Sequence, residues 1–259
     1  MHALLDPARR PVIAHRGNRA HAPENTLESF GQALALRVDA VEFDVHLSRD
    51  GIPVVLHDPT VERTTNGHGF VAALTLAELK RLDAGARFTP DGGRTFPYRG
   101  RGITIPTLDE ALAAIGALPF IIEMKTLAVA RPTFTVLERA HALSRVLIGS
   151  FLGEALTIFR AAGVPITGAP RALARLYLPA LFGAQPGSLP FEAICIPRVH
   201  RGLPLPVRQF ARVMRALGGT THLWTVNDPS VARRLWALGV NGIISDDPRA
   251  ILAARGGPA

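Results

Sequence analysis

Val41-Glu42-Phe43-Asp44-Val45, read together with Ile122-Glu123-Met124-Lys125, decides the fold. In both stretches charged residues punctuate an apolar run at i and i+2, so Glu42 and Asp44 leave one strand on the same side, as do Glu123 and Lys125 on another. Charged side chains are rarely buried in strands unless they are paired or bind a metal. Working outward, further short apolar runs lie at 12–16, 146–151, 166–169, 193–197, 222–226 and 242–245. Helical patterns follow near 26–37, 131–144, 153–162, 172–181, 206–217, 229–238 and 249–254. If the segment after Leu47 belongs to the second unit, these make eight strand–helix alternations within 259 residues. That count favours an α/β fold, a closed (β/α)8 TIM barrel, over an open doubly wound sheet.

Residues 1–259 thus read as a single barrel domain with one irregular part, the Gly-, Thr-, Arg- and Pro-rich segment from Asp58 to Ile105. Its length predicts a small subdomain, at about 59–105, inserted after the second strand's hairpin and lying over the barrel mouth. It has one helical signal, Thr75–Leu82, where Thr75 and Glu78 have the spacing of a capping box.

Composition narrows the class. The chain is 47% hydrophobic with a mean hydropathy of +0.19, enough for a real core. A single cysteine, Cys195, excludes an internal disulfide framework and a Cys-rich zinc site. Met1 to Pro11 has arginines but no apolar run behind them, and no stretch approaches the ~20 apolar residues of a spanning helix, so a cytoplasmic protein without stable membrane insertion is expected. The net charge of +8 is almost all arginine, since Lys80 and Lys125 are the only lysines. These arginines are scattered without aromatic interleaving, which argues against nucleic acid as a partner. They fit either a surface of biased composition or a field that draws in an anionic substrate.

In a parallel barrel the chemistry sits at the carboxyl ends of the strands. There the sequence places His15-Arg16, Glu42 and Asp44, Glu123 and Lys125, and Trp224 with Asn227. Glu42, Asp44 and Glu123 without nearby cysteine read as a hard-cation site for Mg²⁺ or Ca²⁺, the rival being a salt-bridge network with Arg16 and Lys125. His15 and His57 suit general acid–base work near neutral pH, and Arg16 and Lys125 suit phosphate oxygens. Asp50-Gly51 predicts a two-residue hairpin with Arg49 opposite Ile52, a register that sets His57 opposite Asp44. Asn25 is expected to cap the first helix with Glu28 at N3, and Glu24 reads equally as a site member or a partner of the helix dipole. Cys195 and Trp236 read as core, Arg198 and His200 as surface, His46 as rim or support, and His222 as the far end of the barrel.

The chain resembles the glycerophosphodiester phosphodiesterase family over nearly its whole length. The resemblance is carried in order by A-H-R-G at 14–17, P-E-N-T at 23–26, V-E-F-D-V at 41–45, D-G-I-P-V-V-L-H-D at 50–58 and R-T-T-N-G at 63–67. It continues with I-P-T-L-D-E at 105–110, I-E-M-K at 122–125, W-T-V-N at 224–227 and G-I-I-S-D at 242–246. It implies a phosphodiesterase barrel that cleaves small glycerophosphodiesters to glycerol phosphate and an alcohol. Glu42, Asp44 and Glu123 would hold a divalent metal, His15 and His57 would be catalytic, Arg16 and Lys125 would contact phosphate, and Trp224 would line the pocket. The attacking group would be water or the glycerol 2-hydroxyl. Two other readings stand beside it. One is a lysophospholipase D-like enzyme on acylated phosphodiesters, with the apolar stretch 173–182 touching lipid rather than packing as core and Pro179 ending or kinking its helix. The other is a non-catalytic anion-binding barrel. The oligomeric state is left open.

Overall fold

The structure is a computed structural model describing residues 3–182, 188–200 and 202–256, apart from the side chains of 175, 178 and 179. Seven strands run parallel in the order β5-β4-β2-β1-β10-β9-β6. They are β1 (Val12–His15), β2 (Ala40–Leu47), β4 (Phe120–Met124), β5 (Val146–Gly149), β6 (Ala193–Pro197), β9 (Thr220–Trp224) and β10 (Gly242–Ser245). The helices α1 (Leu27–Ala35), α3 (Leu108–Ile115), α4 (Ala130–Arg139), α5 (Thr157–Ala161), α6 (Pro170–Phe182), α7 (Val207–Ala216), α8 (Pro229–Ala237) and α9 (Pro248–Arg255) alternate with them. The chain is an α/β barrel, nearly closed.

Closure between β5 and β6 is thinner than the sequence suggests. The expected strand 166–169 shrinks to two bridges, Ile166 to Ile148 and Thr167 to Ala193. Pro165 and Pro170 flank it and have no N–H for a ladder, and a Cβ on Gly168 would meet the Phe191 ring at 3.0 Å. The backbone bonds that remain, Thr167 N–H to Ile148 O at 2.8 Å and Gly168 N–H to Ala193 O at 2.9 Å, join the two edges. Strand β9 begins at Thr220, two residues before the expected 222, because the polar Thr220 and Thr221 disguise its start. Helix α6 runs past Pro179 to Phe182 rather than stopping there.

Period-two alternation sorts the barrel into layers. Val41, Phe43 and Val45 point out to the helices, where Phe43 lies 5.5 Å from Phe30 and 5.7 Å from Phe120 between ring centroids. Ile13, Ala40, Ile121, Leu147, Ala193 and Ile244 point inward and form an apolar floor with Leu4 beneath them. His222 is also at this far end, paired with the Leu4 carbonyl at 2.9 Å. One inward step along the strands puts His15, Glu42, Glu123, Cys195 and Trp224 above the floor, at the carboxyl ends.

The hairpin after β2 differs from its expected register. Strand β3 (Pro53–Val55) pairs Val45 with Val55, His46 with Val54 and Leu47 with Pro53, which sets Asp44 opposite Leu56 rather than His57. The turn is longer than two residues: Ser48 N–H bonds Ile52 O at 3.0 Å, and Gly51 takes the left-handed conformation at φ 81°. From here to Ile105 the chain has its own small core, including Val54, Leu56, Val61, Leu79 and Ile105. Helix α2 (Leu76–Leu79) carries the Thr75–Glu78 capping box but is only one turn long. The helix that completes the second unit is α3, capped by Thr107 with Glu110. Among the described residues, no helix is long and apolar enough to cross a membrane.

Candidate active site

Register brings the acidic residues together. His15 lies beside Glu42 across β1–β2, and Asp44 lies beside Glu123 across β2–β4. Glu42, Asp44 and Glu123 each offer a carboxylate oxygen, all within 4.8 Å of one another. Lys125 Nζ sits 2.8 Å from Asp44 and 2.6 Å from Glu123, and Arg16 Nε sits 3.2 Å from Asp44. Burial works against the Asp44 anion, but Lys125 and Arg16 hold its carboxyl below the usual range. Among the described residues no lysine or arginine side chain forms an ion pair with Glu42: it accepts the Arg16 backbone N–H at 3.1 Å, with His15 Nε2 at 3.9 Å. Burial first, then Asp44 and Glu123, push its carboxyl up to about 7.

These facts test whether a metal fits. The salt-bridge network is real, yet Arg16 and Lys125 leave one of three carboxylates uncompensated, and Arg16 is shared with Glu24 at 2.8 Å. An all-oxygen donor set with excess negative charge, carried on rigid strands, suits a hard dication.

The turn after β1 is built around this cluster. Arg16 has φ 55° and Gly17 φ 84°, and a Cβ on Gly17 would meet Ser29 Oγ at 2.3 Å, so the close approach requires glycine. Asn25, expected as the cap of α1, is not the cap. Thr26 caps it, accepting the Ser29 N–H at 3.2 Å. Asn25 instead takes φ 57° and donates its Nδ2 to Asp44 Oδ2 at 2.9 Å. The left-handed turn carries its amide into the barrel, where it fixes one face of the carboxylate.

Each histidine has a carboxylate behind it. His15 Nδ1 pairs with Asp246 at 2.6 Å, and His57 Nδ1 pairs with Asp58 at 2.6 Å, leaving both Nε2 atoms to the cavity. His57 reaches the cavity despite the shifted register because it lies past the end of β3, where strand alternation no longer dictates its direction. The buried His46 pairs through Nε2 with the His57 carbonyl at 3.1 Å, a support rather than a rim residue.

The two orienting carboxylates are tied to each other through Glu24. Asp246 accepts from Arg19 at 3.2 Å and from Asn227 at 3.1 Å. Arg19 also donates to Glu24 at 2.9 Å. Arg63 bonds Glu24 through both terminal nitrogens, at 2.7 and 2.9 Å, and also bonds Asp58. Burial alone would raise the Glu24 carboxyl, but the Arg63 hydrogen bonds, Arg16 and Arg19 hold it far below its ordinary range. The sequence reading left Glu24 undecided and assigned no role to Asp58, Asp246, Arg19 or Arg63. The available signals were the H-D pair at 57–58 and the aspartate directly after β10.

Above the cluster lies a cavity of about 560 Å³, within the range that holds a whole small-molecule ligand. His15, Arg16, Glu42, His57, Glu123 and Lys125 line one side. Trp224 lies on the other, edge-on to Phe151 at 6.5 Å. Cys195, expected as inert core, lines this cavity too, because it faces inward in the upper layer, and burial pushes its thiol up. His200 reaches the cavity as well, whereas Trp236 packs among the helices as expected.

Comparison with known proteins is consistent across the chain. The model of the glycerophosphoryl diester phosphodiesterase family matches residues 15–157, and a second model with the same description matches residues 221–249. A glycerophosphodiester phosphodiesterase of Caldanaerobacter subterraneus subsp. tengcongensis is 34% identical over 255 residues, covering 95% of this chain and 98% of that protein. An Oleispira antarctica phosphodiesterase solved with the product sn-glycerol-3-phosphate is 30% identical, with a TM-score of 0.76 over 96% of this chain and 98% of its own. A glycerophosphoryl diester phosphodiesterase domain from Mycobacterium tuberculosis shares the fold, with a TM-score of 0.82 at 22% identity over 95% of this chain and 98% of its own.

Proposed function

The chain belongs to the glycerophosphoryl diester phosphodiesterase family and is a phosphoric diester hydrolase, and from that premise we propose that it cleaves glycerophosphodiesters by metal-assisted acid–base catalysis between His15 and His57. The observation that carries this reading is the shared upper layer of the barrel, where three carboxylates, two cations and two carboxylate-backed histidines face one cavity. That the Oleispira antarctica relative binds sn-glycerol-3-phosphate as its product supports glycerol phosphate as the product here.

Glu42, Asp44 and Glu123 would hold a divalent cation, Mg²⁺ or Ca²⁺, which when bound stabilises negative charge on the phosphate. Arg16 and Lys125 contact the phosphate oxygens and neutralise charge as phosphorus becomes five-coordinate. One histidine takes the proton of the attacking oxygen, from water or from the glycerol 2-hydroxyl, as that oxygen bonds to phosphorus; after attack by the 2-hydroxyl, water opens the cyclic phosphate in a second displacement to give glycerol phosphate. The other donates a proton to the alkoxide as its P–O bond breaks. Asp246 and Asp58 fix the two rings with Nδ1 bound and Nε2 free to exchange that proton. Trp224 forms part of the wall against which the substrate lies.

The test is hydrolysis of glycerophosphocholine and glycerophosphoethanolamine with added Mg²⁺, Ca²⁺ or EDTA. Cleavage that needs the cation and yields glycerol phosphate is expected. Cleavage undiminished by EDTA would leave Arg16 and Lys125 as the sole electrostatic machinery and end the metal reading.

A further inference from the structure

A phosphodiester has two arms, and the cavity is asymmetric in a way that a small polar headgroup does not use. Away from the acid–histidine cluster, the same cavity is walled by Phe151, Tyr177, Leu203, Leu205, Phe210 and Trp224. Among the described residues its lining carboxylates, Glu42 and Glu123, both belong to the cluster, so none on the far wall meets an ammonium headgroup. Further apolar side chains are exposed on the segments that build this wall. Most of the exposed large apolar side chains among the described residues lie between 151 and 203, including Phe151 (57% exposed), Leu203 (70%) and Phe182 (83%). Helix α6 contributes to both surfaces, lining the cavity with Leu173, Ala174 and Tyr177 while leaving Leu181 and Phe182 exposed further along. Leu203 sits on a small hairpin, β7 (Val199–His200) with β8 (Leu203–Pro204), that stands at the cavity edge. Apolar side chains lining a cavity, with others exposed on the same helix and hairpin, mark a binding surface rather than packing.

We propose that this wall binds an alkyl or acyl chain, so that the preferred substrate is a glycerophosphodiester with one long apolar arm. The inference rests on the reading of the polar half as the phosphate centre and adds the chemistry of the neighbouring arm. The chain can sit on the leaving alcohol or on the glycerol, and both present the same methylenes to the wall.

Two substrate series test this, each kept below its micelle concentration. One is glycerol-3-phosphate esterified to methanol, butanol and octanol. The other is glycerophosphocholine against its 1-butanoyl and 1-octanoyl forms. A rise in kcat/KM of up to about fourfold per buried methylene is expected in the series whose chain occupies the wall. Leu203→Ser and Phe151→Ser alter exposed side chains and are expected to flatten that slope while the protein stays folded by circular dichroism. Profiles flat in both series overturn the inference. So does glycerophosphocholine outcompeting every chain-bearing ester, because the aromatic side chains would then be a cage for a quaternary ammonium. In either case cleavage of the small diesters leaves the phosphodiesterase reading standing. Failure to cleave any substrate sinks that reading and the inference together.

Discussion

The two sides of the barrel mouth are built by opposite means. On the side of β1, β2 and β4, nearly every functional group is held by at least one charged or polar neighbour: Asp44 meets Lys125, Arg16 and Asn25, and each histidine meets its own aspartate. On the side of β5, β6 and β9, the cavity is shaped by apolar surfaces that touch without directional bonds, such as Phe151 against Trp224. Charged groups taken from water need fixed partners, so one side is a rigid electrostatic frame. Apolar groups need only shape, so the other is a wall without fixed partners. One cavity thus joins a directional, charged wall to a non-directional, apolar one.

The sharpest test of this division removes a histidine. His57→Ala and His15→Ala are each expected to lower kcat by about 10²–10⁴-fold, as for loss of a general acid or base, in steady-state assays on a small diester. Near-normal turnover by either variant would take that histidine out of the frame.

Breaking the link between the two histidines comes next. Glu24→Ala leaves Arg16, Arg19 and Arg63 without their common partner, and an unfolding loss of about 3 kcal/mol is expected for a broken buried ion pair. The pH dependence has a definite sign. Burial opposes the Glu24 anion, yet the arginines depress its carboxyl below the ordinary 4.5, so its stabilisation is complete above that value and is lost as the pH falls through the folded value. The denaturant midpoints of wild type and Glu24→Gln are therefore expected to differ by a constant amount near neutrality and to converge below pH 4.5. A gap unchanged by acid would show that the hub acts by packing alone.

Asp246→Asn probes one ring only. It keeps a polar neighbour for His15 but removes the charge behind it, and a fall of about 10- to 100-fold in kcat is expected by analogy with carboxylates that orient histidines at metal sites. A shifted pH–rate profile separates this from a general loss of structure. The smallest effect belongs to the apolar side: Leu203→Ser is expected to change stability by no more than about 0.5 kcal/mol, because its side chain is largely exposed. A large thermal shift would make Leu203 part of the fold and count against its role in binding.

The polar side was legible in the sequence because charge inside an apolar strand is rare. Glu42, Asp44, Glu123 and Lys125 announce themselves, and a period of two forces them to one side. The apolar wall was legible only in part: the stretch 173–182 offered either a lipid-touching surface or core, and nothing marked Phe151, Leu203 or Phe210, since Leu173 in a cavity and Phe159 in the core have the same local pattern. Asn25 was misread for a related reason: capping propensity is shared by Asn25 and Thr26, and only the left-handed turn that sends Asn25 inward separates them. The hairpin register slipped by one because Asp50-Gly51 fits several turn lengths, and the bonds of Ser48 and Asp50 selected the longer one.

What the sequence determined by itself is the alternation of strands and helices, the inward chemistry of its charged strands and the family to which it belongs, all of which depend on residue type and short-range period. What only the tertiary structure decided is which distant residues meet. Asp246 lies 231 positions from His15 and Glu24 lies 39 from Arg63, and no local rule spans such separations. Barrel closure brings the first strand beside the last and the insertion over the first turn, and that geometry makes one site of them.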